Sequence, residues 1–397
     1  MTLESLVSAA NRQGASDLHL EPGLPATIRV RGALRTMGEA FDGKTLLDIA
    51  RDAIGAAAWP HFLERRSADF SRTITGVRCR INVMHTSRGV GLAVRLLASF
   101  QATIDRLNLH PDLKKLVLPT NGLVLISGPT GCGKSSTLAA LIQEINLTES
   151  RHVVTLENPI EYVLRARRAF IRQREVGRDT PSFEQGLLDA LREDPDVLMV
   201  GEMREPETMR LTLNAAETGH LVLATVHSGS CAEAVQRVVL AFPSEIQSNI
   251  AAQLADSLVA VVCQRLRFRP DLNLRVPECE ILRSTTQVKA FIRNRDYFKI
   301  PQALETGAEH GMWSFERYQA WMAKRTQWHV PNPEDESPDR EEAAVTEEAP
   351  PSIPTGTTSA KPSPAVPTTP SETTRPGGPI EIEPVEGGMD ELIKRLT

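Results

Sequence analysis

The segment Gly128-Pro-Thr-Gly-Cys-Gly133-Lys134-Ser135 limits what this chain can fold into more than any other stretch of it. It matches G-x-x-x-x-G-K-[ST], follows the apolar run Leu123 to Ser127, and precedes the helical pattern Thr137 to Ile145. A glycine-rich turn between a buried strand and a helix lets backbone N–H groups turn inward around phosphate oxygens, and the helix start adds partial positive charge. In such a loop Lys134 balances charge on the β and γ phosphates and Ser135 ligates magnesium. The expected binding segment for ATP with Mg²⁺ is therefore Gly128, Pro129, Thr130, Gly131, Cys132, Gly133, Lys134, Ser135 and Ser136. Cys132 contributes only its backbone N–H, and its thiol predicts sensitivity of the loop to thiol reagents.

The texture around this segment fits an α/β domain. From Asn121 onward, apolar runs of strand length alternate with helical segments, the signature of a mostly parallel sheet covered on both faces. Candidate strands are Leu123 to Ser127, Val153 to Leu156, Val197 to Val200 and Leu221 to Thr225; helical patterns continue through Ser244 to Val262, Ser284 to Arg293 and Trp313 to Lys324. This domain is expected over 109–330. Before it, alternation in Ala26 to Val30, Val77 to Val83 and Gly91 to Leu97 predicts a small α+β domain over 1–100, joined by a linker at 101–108.

Beyond Val330 the composition changes. Residues 331–388 are rich in Pro, Thr, Ser and Glu and nearly free of large apolar side chains, which predicts a disordered tether. At 389–397, Met389, Leu392, Ile393 and Leu396 fall at i, i+3, i+4, i+7, a short helix that would fold only on a partner. The acidic tail also disguises the charge of the rest. Residues 331–397 hold 14 Asp+Glu against 5 Lys+Arg, leaving 36 acidic and 40 basic residues before them. No Lys/Arg stripe with interleaved aromatics appears, which speaks against a nucleic-acid motor. Five scattered cysteines without a C-x-x-C pair or a secretory signal predict reduced thiols in a cytoplasmic protein, and no apolar run is long enough to span a membrane.

Ligands of open α/β sheets collect outside the carboxyl ends of the strands. Three runs end there in polar residues: Val153 to Leu156 in Glu157-Asn158-Pro-Ile-Glu161, Val197 to Val200 in Gly201-Glu202, and Leu221 to Val226 in His227. A carboxylate beside magnesium and the γ-phosphate can orient an attacking water, and an imidazole can sense whether that phosphate is present. A Glu at a strand end is ordinarily just solvated; convergence of all three on the side of the phosphate loop is what makes them candidates. His220 and His227 flank one strand without a partnered Cys or His, so neither reads as a metal ligand.

These residues resemble the PilT-like hexameric ATPases that power type IV pilus retraction, within the secretion ATPase superfamily. The likeness runs from about residue 5 to 320. Thr155-Leu-Glu157-Asn158-Pro-Ile-Glu161-Tyr162 resembles that family's Asp box, Asp194-Pro-Asp196-Val-Leu-Met-Val-Gly201-Glu202-Met203-Arg204 its Walker B segment, and Ala215-Ala-Glu217-Thr-Gly219-His220-Leu-Val-Leu-Ala-Thr-Val-His227 its His box. Gly14-Ala-Ser-Asp17-Leu18-His19-Leu20 with Ile28-Arg-Val-Arg-Gly32 resembles its PAS-like domain, and Ala290-Phe-Ile-Arg293-Asn294 with Gln302 to Gly307 its retraction motif.

The resemblance implies a PAS-like domain followed by a RecA-like ATPase domain, six subunits in a ring, and a cytoplasmic position against an inner-membrane platform protein. It implies Glu202 as the residue organising the attacking water, Glu161 assisting near the metal, and His227 and His220 coupling phosphate state to domain movement. Glu157 would lie at the nucleotide, and Arg80 and Arg95 would reach toward its phosphates when the domain closes. The chain departs from the pattern at Asn158, where the family carries Asp, and at Arg295-Asp-Tyr-Phe. Motors of type IVB secretion and conjugative pili share most of the boxes, and Asn158 leaves room for a nucleotide-binding regulatory subunit with little turnover.

Overall fold

Two sheets organise the described residues, each built from the kind of strand its sequence predicts. The computed structural model describes residues 2–30, 33–56, 58–97 and 102–331. The expected tether over 332–388 and the terminal helix at 389–397 lie outside the described residues.

The N-terminal domain comprises α1 (Leu3–Arg12), β1 (Ala15–Leu20), β2 (Pro25–Val30), β3 (Ala33–Ala40), α2 (Gly43–Ile54), α3 (Trp59–Arg65), β4 (Ser67–Ile74), β5 (Val77–Thr86) and β6 (Gly89–Leu97). Its strands lie in the order β3-β2-β1-β6-β5-β4, every neighbour antiparallel. The alternation along β2 and β5 turns Ala26, Ile28, Val30, Cys79, Ile81 and Val83 inward. There they meet apolar residues of α1 and α2 in one core, the PAS-like arrangement. Thr2 and Asp42 cap α1 and α2 through their side chains, each cap contributing about 1 kcal/mol.

The second domain runs β7 (Gly122–Ser127), α4 (Lys134–Thr148), β8 (His152–Glu157), β9 (Phe170–Glu175), α5 (Phe183–Ala190), β10 (Val197–Val200), α6 (Pro206–Glu217), β11 (Leu221–Val226), α7 (Cys231–Leu240), α8 (Gln247–Ser257), β12 (Leu258–Arg269), β13 (Leu274–Arg283), α9 (Thr286–Arg293), α10 (Ile300–Thr306) and α11 (Phe315–Lys324). Strand order is β13-β12-β7-β11-β10-β8-β9, parallel except for the β12–β13 edge. β7, β10 and β11 are buried along their whole length, as continuous apolar runs require when helices cover both faces. Val124 and Ile126 face α4 and α11, whereas Leu123 and Leu125 face the layer of α5 to α9. This is the RecA-like architecture.

One sequence expectation is corrected. The helical pattern drawn through Ser244 to Val262 breaks at Ser257: α8 ends there and Leu258 opens β12, a twelve-residue strand beside β7. Leu258-Val-Ala-Val-Val-Cys263 has no periodicity to separate a buried strand from a buried helix, and the β-branched residues decide it.

Candidate nucleotide site

At the carboxyl end of β7 the chain turns through Gly128, buried with φ of 144°. A Cβ there would fall on the carbonyl of Gln264 and within 2.5 Å of Cys132 Sγ, and one at Gly133 (φ 92°) would come within 2.9 Å of Gln264 Nε2. Glycine is therefore required at both positions for the loop to close on β12. Helix α4 starts on Gly133 without a side-chain cap, so its first N–H groups keep their hydrogen-bonding capacity for an anion. Pro129, Thr130 and Gly131 form the exposed rim, with Ser135 exposed in the first turn of the helix.

Gln264, 2% exposed on β12, is the residue the sequence reading missed here. Its Nε2 donates to Cys132 O at 2.6 Å and its Oε1 accepts from Thr137 Oγ1 at 2.6 Å, tying the loop to the helix it feeds. Cys132 is buried, and burial raises its thiol pKa despite nearby Lys134. The expected thiol sensitivity of the loop is therefore not supported: reactivity needs an accessible thiolate, and this site disfavours both access and ionisation.

The three strand-end segments converge on Lys134. Its ammonium donates to Gly128 O at 3.0 Å and Pro129 O at 3.1 Å, and meets His227 Nδ1 at 3.3 Å. Burial lowers its pKa, opposed by nearby groups that include Glu202 and Glu161. His227 Nε2 lies 3.0 Å from Glu202 Oε1. Because an ammonium can only donate, His227 Nδ1 accepts and the ring proton sits on Nε2, facing Glu202. Burial and Lys134 lower the histidine pKa, which keeps the ring neutral around neutrality. Burial works against the Glu202 carboxylate, but the hydrogen bond and charge of Arg204 (2.6 Å), with His227 and Lys134, leave its pKa below the ordinary range.

Glu161 and Tyr162 come from the segment after β8. Tyr162 OH and Ser136 Oγ are 2.7 Å apart, and Gln173 Nε2 donates to Tyr162 O at 2.8 Å. Glu161 lines a cavity of about 340 Å³ together with Gly133, Ser136 and Thr137; Leu107, Leu266 and Pro277 give it apolar wall, and Arg106, Asn108 and Arg275 polar groups. Its size and mixed lining suit a nucleoside next to the phosphate loop. The Ser135 hydroxyl and the Glu161 carboxylate offer the hard oxygen donors that Mg²⁺ takes beside phosphate, so the residues present fit a magnesium–nucleotide pair.

Other candidates stand elsewhere. Glu157 is buried as the last residue of β8, its Oε1 receiving Thr155 Oγ1 at 2.8 Å and Gln173 Nε2 at 3.0 Å, and burial pushes its pKa up to about 7. His220 precedes β11 and His227 follows it, so the two sit about 20 Å apart at opposite rims of the sheet. His220 Nδ1 is 3.0 Å from Ala215 O. Arg80 and Arg95 face each other across β5 and β6, paired at 2.7 Å with Asp69 and at 3.0 Å with Asp17 respectively. The field of Glu161 and Glu175 reaches Arg80. The structure thus gathers Lys134, Glu202, His227, Glu161 and Ser136 and leaves His220 outside that group.

Residues 1–294 match the family described as Type II/IV secretion system protein. The chain is 40% identical over 314 residues to the type IV pilus retractation ATPase PilT of Pseudomonas aeruginosa, covering 79% of this chain and 91% of that one. It is 38% identical over 318 residues to the uncharacterized protein YggR of Escherichia coli, covering 80% and 97%. Its fold superposes on the crystal structure of the pilus retraction motor PilT with bound ADP at a TM-score of 0.75 and 34% identity, over 86% of this chain and 98% of that one. With its phosphate loop and strand-end carboxylates in place, the chain belongs to the type II/IV secretion system protein family, in its PilT-like, ATP-hydrolysing branch.

Proposed function

We propose that this chain is one subunit of a six-membered cytoplasmic ring that couples ATP hydrolysis to retraction of a type IV pilus. The observation that carries the hydrolytic part is the unbroken contact from Lys134 through His227 to Glu202 at the mouth of the phosphate loop. The downstream machine is inferred from the relatives named for pilus retraction. Among the described residues no helix is long and apolar enough to cross a membrane, so force would reach the pilus through an inner-membrane platform protein.

In this reading the phosphates lie on the N–H groups of residues 130–135, and Lys134 exchanges the carbonyls of Gly128 and Pro129 for phosphate oxygens. Ser135 and Glu161 would hold Mg²⁺, which when bound offsets the negative charge of the phosphates and orients them. Glu202, kept ionised, orients the attacking water and accepts its proton. His227 touches both Glu202 and Lys134, so loss of the terminal phosphate next to Lys134 alters the partner that orients the base. Arg80 and Arg95 reach toward the nucleotide as the N-terminal sheet moves. The two nucleotide states then favour different domain arrangements, and the difference is the working stroke.

Steady-state ATP hydrolysis of the full chain with magnesium tests the motor, comparing wild type with Lys134→Ala, Glu202→Gln and Asn158→Asp. Turnover abolished in the first two supports it; ATP binding without turnover, restored by Asn158→Asp, supports a regulatory subunit. Loss of twitching when the gene is deleted, restored by wild type and not by Glu202→Gln, tests the retraction assignment; unaffected twitching overturns it.

A further inference from the structure

The two domains meet in a buried ionic cluster that lies against the segment carrying Glu161. Glu175 ends β9, Arg78 lies on β5 and Ser71 on β4; they are 2%, 8% and 4% exposed. The Arg78 guanidinium is 3.5 Å from Glu175 Oε2. Ser71 donates its N–H to Glu175 Oε1 at 3.2 Å and its hydroxyl to Oε2, and Arg78 donates to the same hydroxyl. Between the two charges runs the backbone of Ile160. Its N–H donates to Glu175 Oε2 at 3.2 Å, and its carbonyl accepts from Arg78 Nε at 3.2 Å.

Both polar backbone groups of one residue are thus taken by the two ends of an ion pair, and each end comes from a different domain. That residue is the immediate neighbour of Glu161. On the other side of Glu161, Tyr162 is held by Ser136 and Gln173. Interface cement alone does not explain the arrangement, because a buried ion pair gives little net stability over an apolar pair of similar volume. What an apolar pair cannot do is hold a peptide group at both ends.

Resting on the reading of Glu161 as the carboxylate beside the metal, we propose that Arg78 and Glu175 are positioning residues. By clamping the peptide groups of Ile160, they hold Glu161 in its working place only while the N-terminal sheet is docked on the ATPase domain. The clamp then acts on the rate of hydrolysis more than on nucleotide affinity. The N-terminal domain is in this way a control on its own subunit's active site, acting through one backbone residue. A displacement of about 1 Å in a catalytic group costs on the order of 100-fold in rate.

The test uses the full chain carrying Arg78→Met with Glu175→Leu, an apolar replacement that spares the fold an unpaired charge. Ser71→Ala, which leaves the charges paired, is the second variant in case the first does not fold. Two quantities are read: kcat and KM for magnesium–ATP, and hydrogen exchange of the peptide from Asn158 to Leu164 without nucleotide. Expected for the double variant are a kcat lower by at least about ten-fold, a KM within about three-fold of wild type, and faster exchange at Ile160. Ser71→Ala moves the same quantities in the same direction by less. A variant with wild-type kcat, or with unchanged exchange, overturns the proposal. A wild-type chain that binds ATP without turnover overturns the hydrolytic reading instead, and exchange at Ile160 alone then decides whether the clamp exists.

Discussion

His227 donates its Nε2–H to Glu202 Oε1 over 3.0 Å, which makes a neutral imidazole the partner of an ionised carboxylate at the phosphate loop. If Glu202 is the base, Glu202→Gln keeps the hydrogen bond to His227 but loses the charge. The expected result is a kcat reduced by about 10² to 10⁴-fold, with magnesium–ATP affinity within a few-fold of wild type. Single-turnover hydrolysis beside equilibrium nucleotide binding checks it.

Glu157 gives a pH-dependent stability whose sign is fixed. Its pKa is raised to about 7 by burial, so the folded chain binds this proton more tightly than the unfolded chain. The stability gained is fully present below the ordinary glutamate range and is lost as pH rises through about 7. Glu157→Gln retains acceptance from Thr155 and Gln173 and has no charge to bury. Relative to wild type it should gain about 2–3 kcal/mol between about pH 5 and about pH 8, measured as urea unfolding midpoints at the two ends.

Gln264→Ala removes the one side chain that joins Cys132 O to Thr137 Oγ1. Each buried group left unsatisfied costs about 1–3 kcal/mol, so ADP should bind at least about ten-fold more weakly. Calorimetry against ADP measures this, and unchanged affinity would mean that the loop holds its shape without β12.

Cys132 should be inert in the folded chain. Iodoacetamide at neutral pH is expected to leave ATP turnover unchanged over a period that fully alkylates the urea-unfolded chain, and Cys132→Ser to retain activity. Rapid inactivation of wild type, prevented by that substitution, would show a thiol more accessible than its buried position allows.

Much of this site was legible because it is local in sequence. The phosphate loop is contiguous, His227 directly follows an apolar run that reads as a strand, and Glu202 follows another after Gly201. The remainder depends on contacts the chain makes with itself over long separations. Gln264 lies two residues past the helical pattern that ends at Val262, where the sequence assigns no element. There its polarity carried no message, because only the β12–β7 pairing places it under the loop. Arg78 and Arg80 are two apart on β5 and look alike in sequence, yet Arg78 is buried against Glu175 while Arg80 meets Asp69 near the surface. Glu157 followed the strand-end rule and was still turned inward, because β9, unread from the sequence, supplies Gln173 beside it.

The first turn of α4 sends three ties in three directions. Lys134 reaches His227 beyond β11, Ser136 reaches Tyr162 beyond β8, and Thr137 reaches Gln264 on β12. At about 100° per residue, Lys134, Ser136 and Thr137 leave the helix axis in directions about 60° and 100° apart, so the ties fan out like legs across one side of the helix. A helix held that way can neither roll nor slide without straining at least one leg. Any push that a phosphate gives this turn is therefore delivered to three strands of the sheet together, as a displacement of the domain and not of a loop.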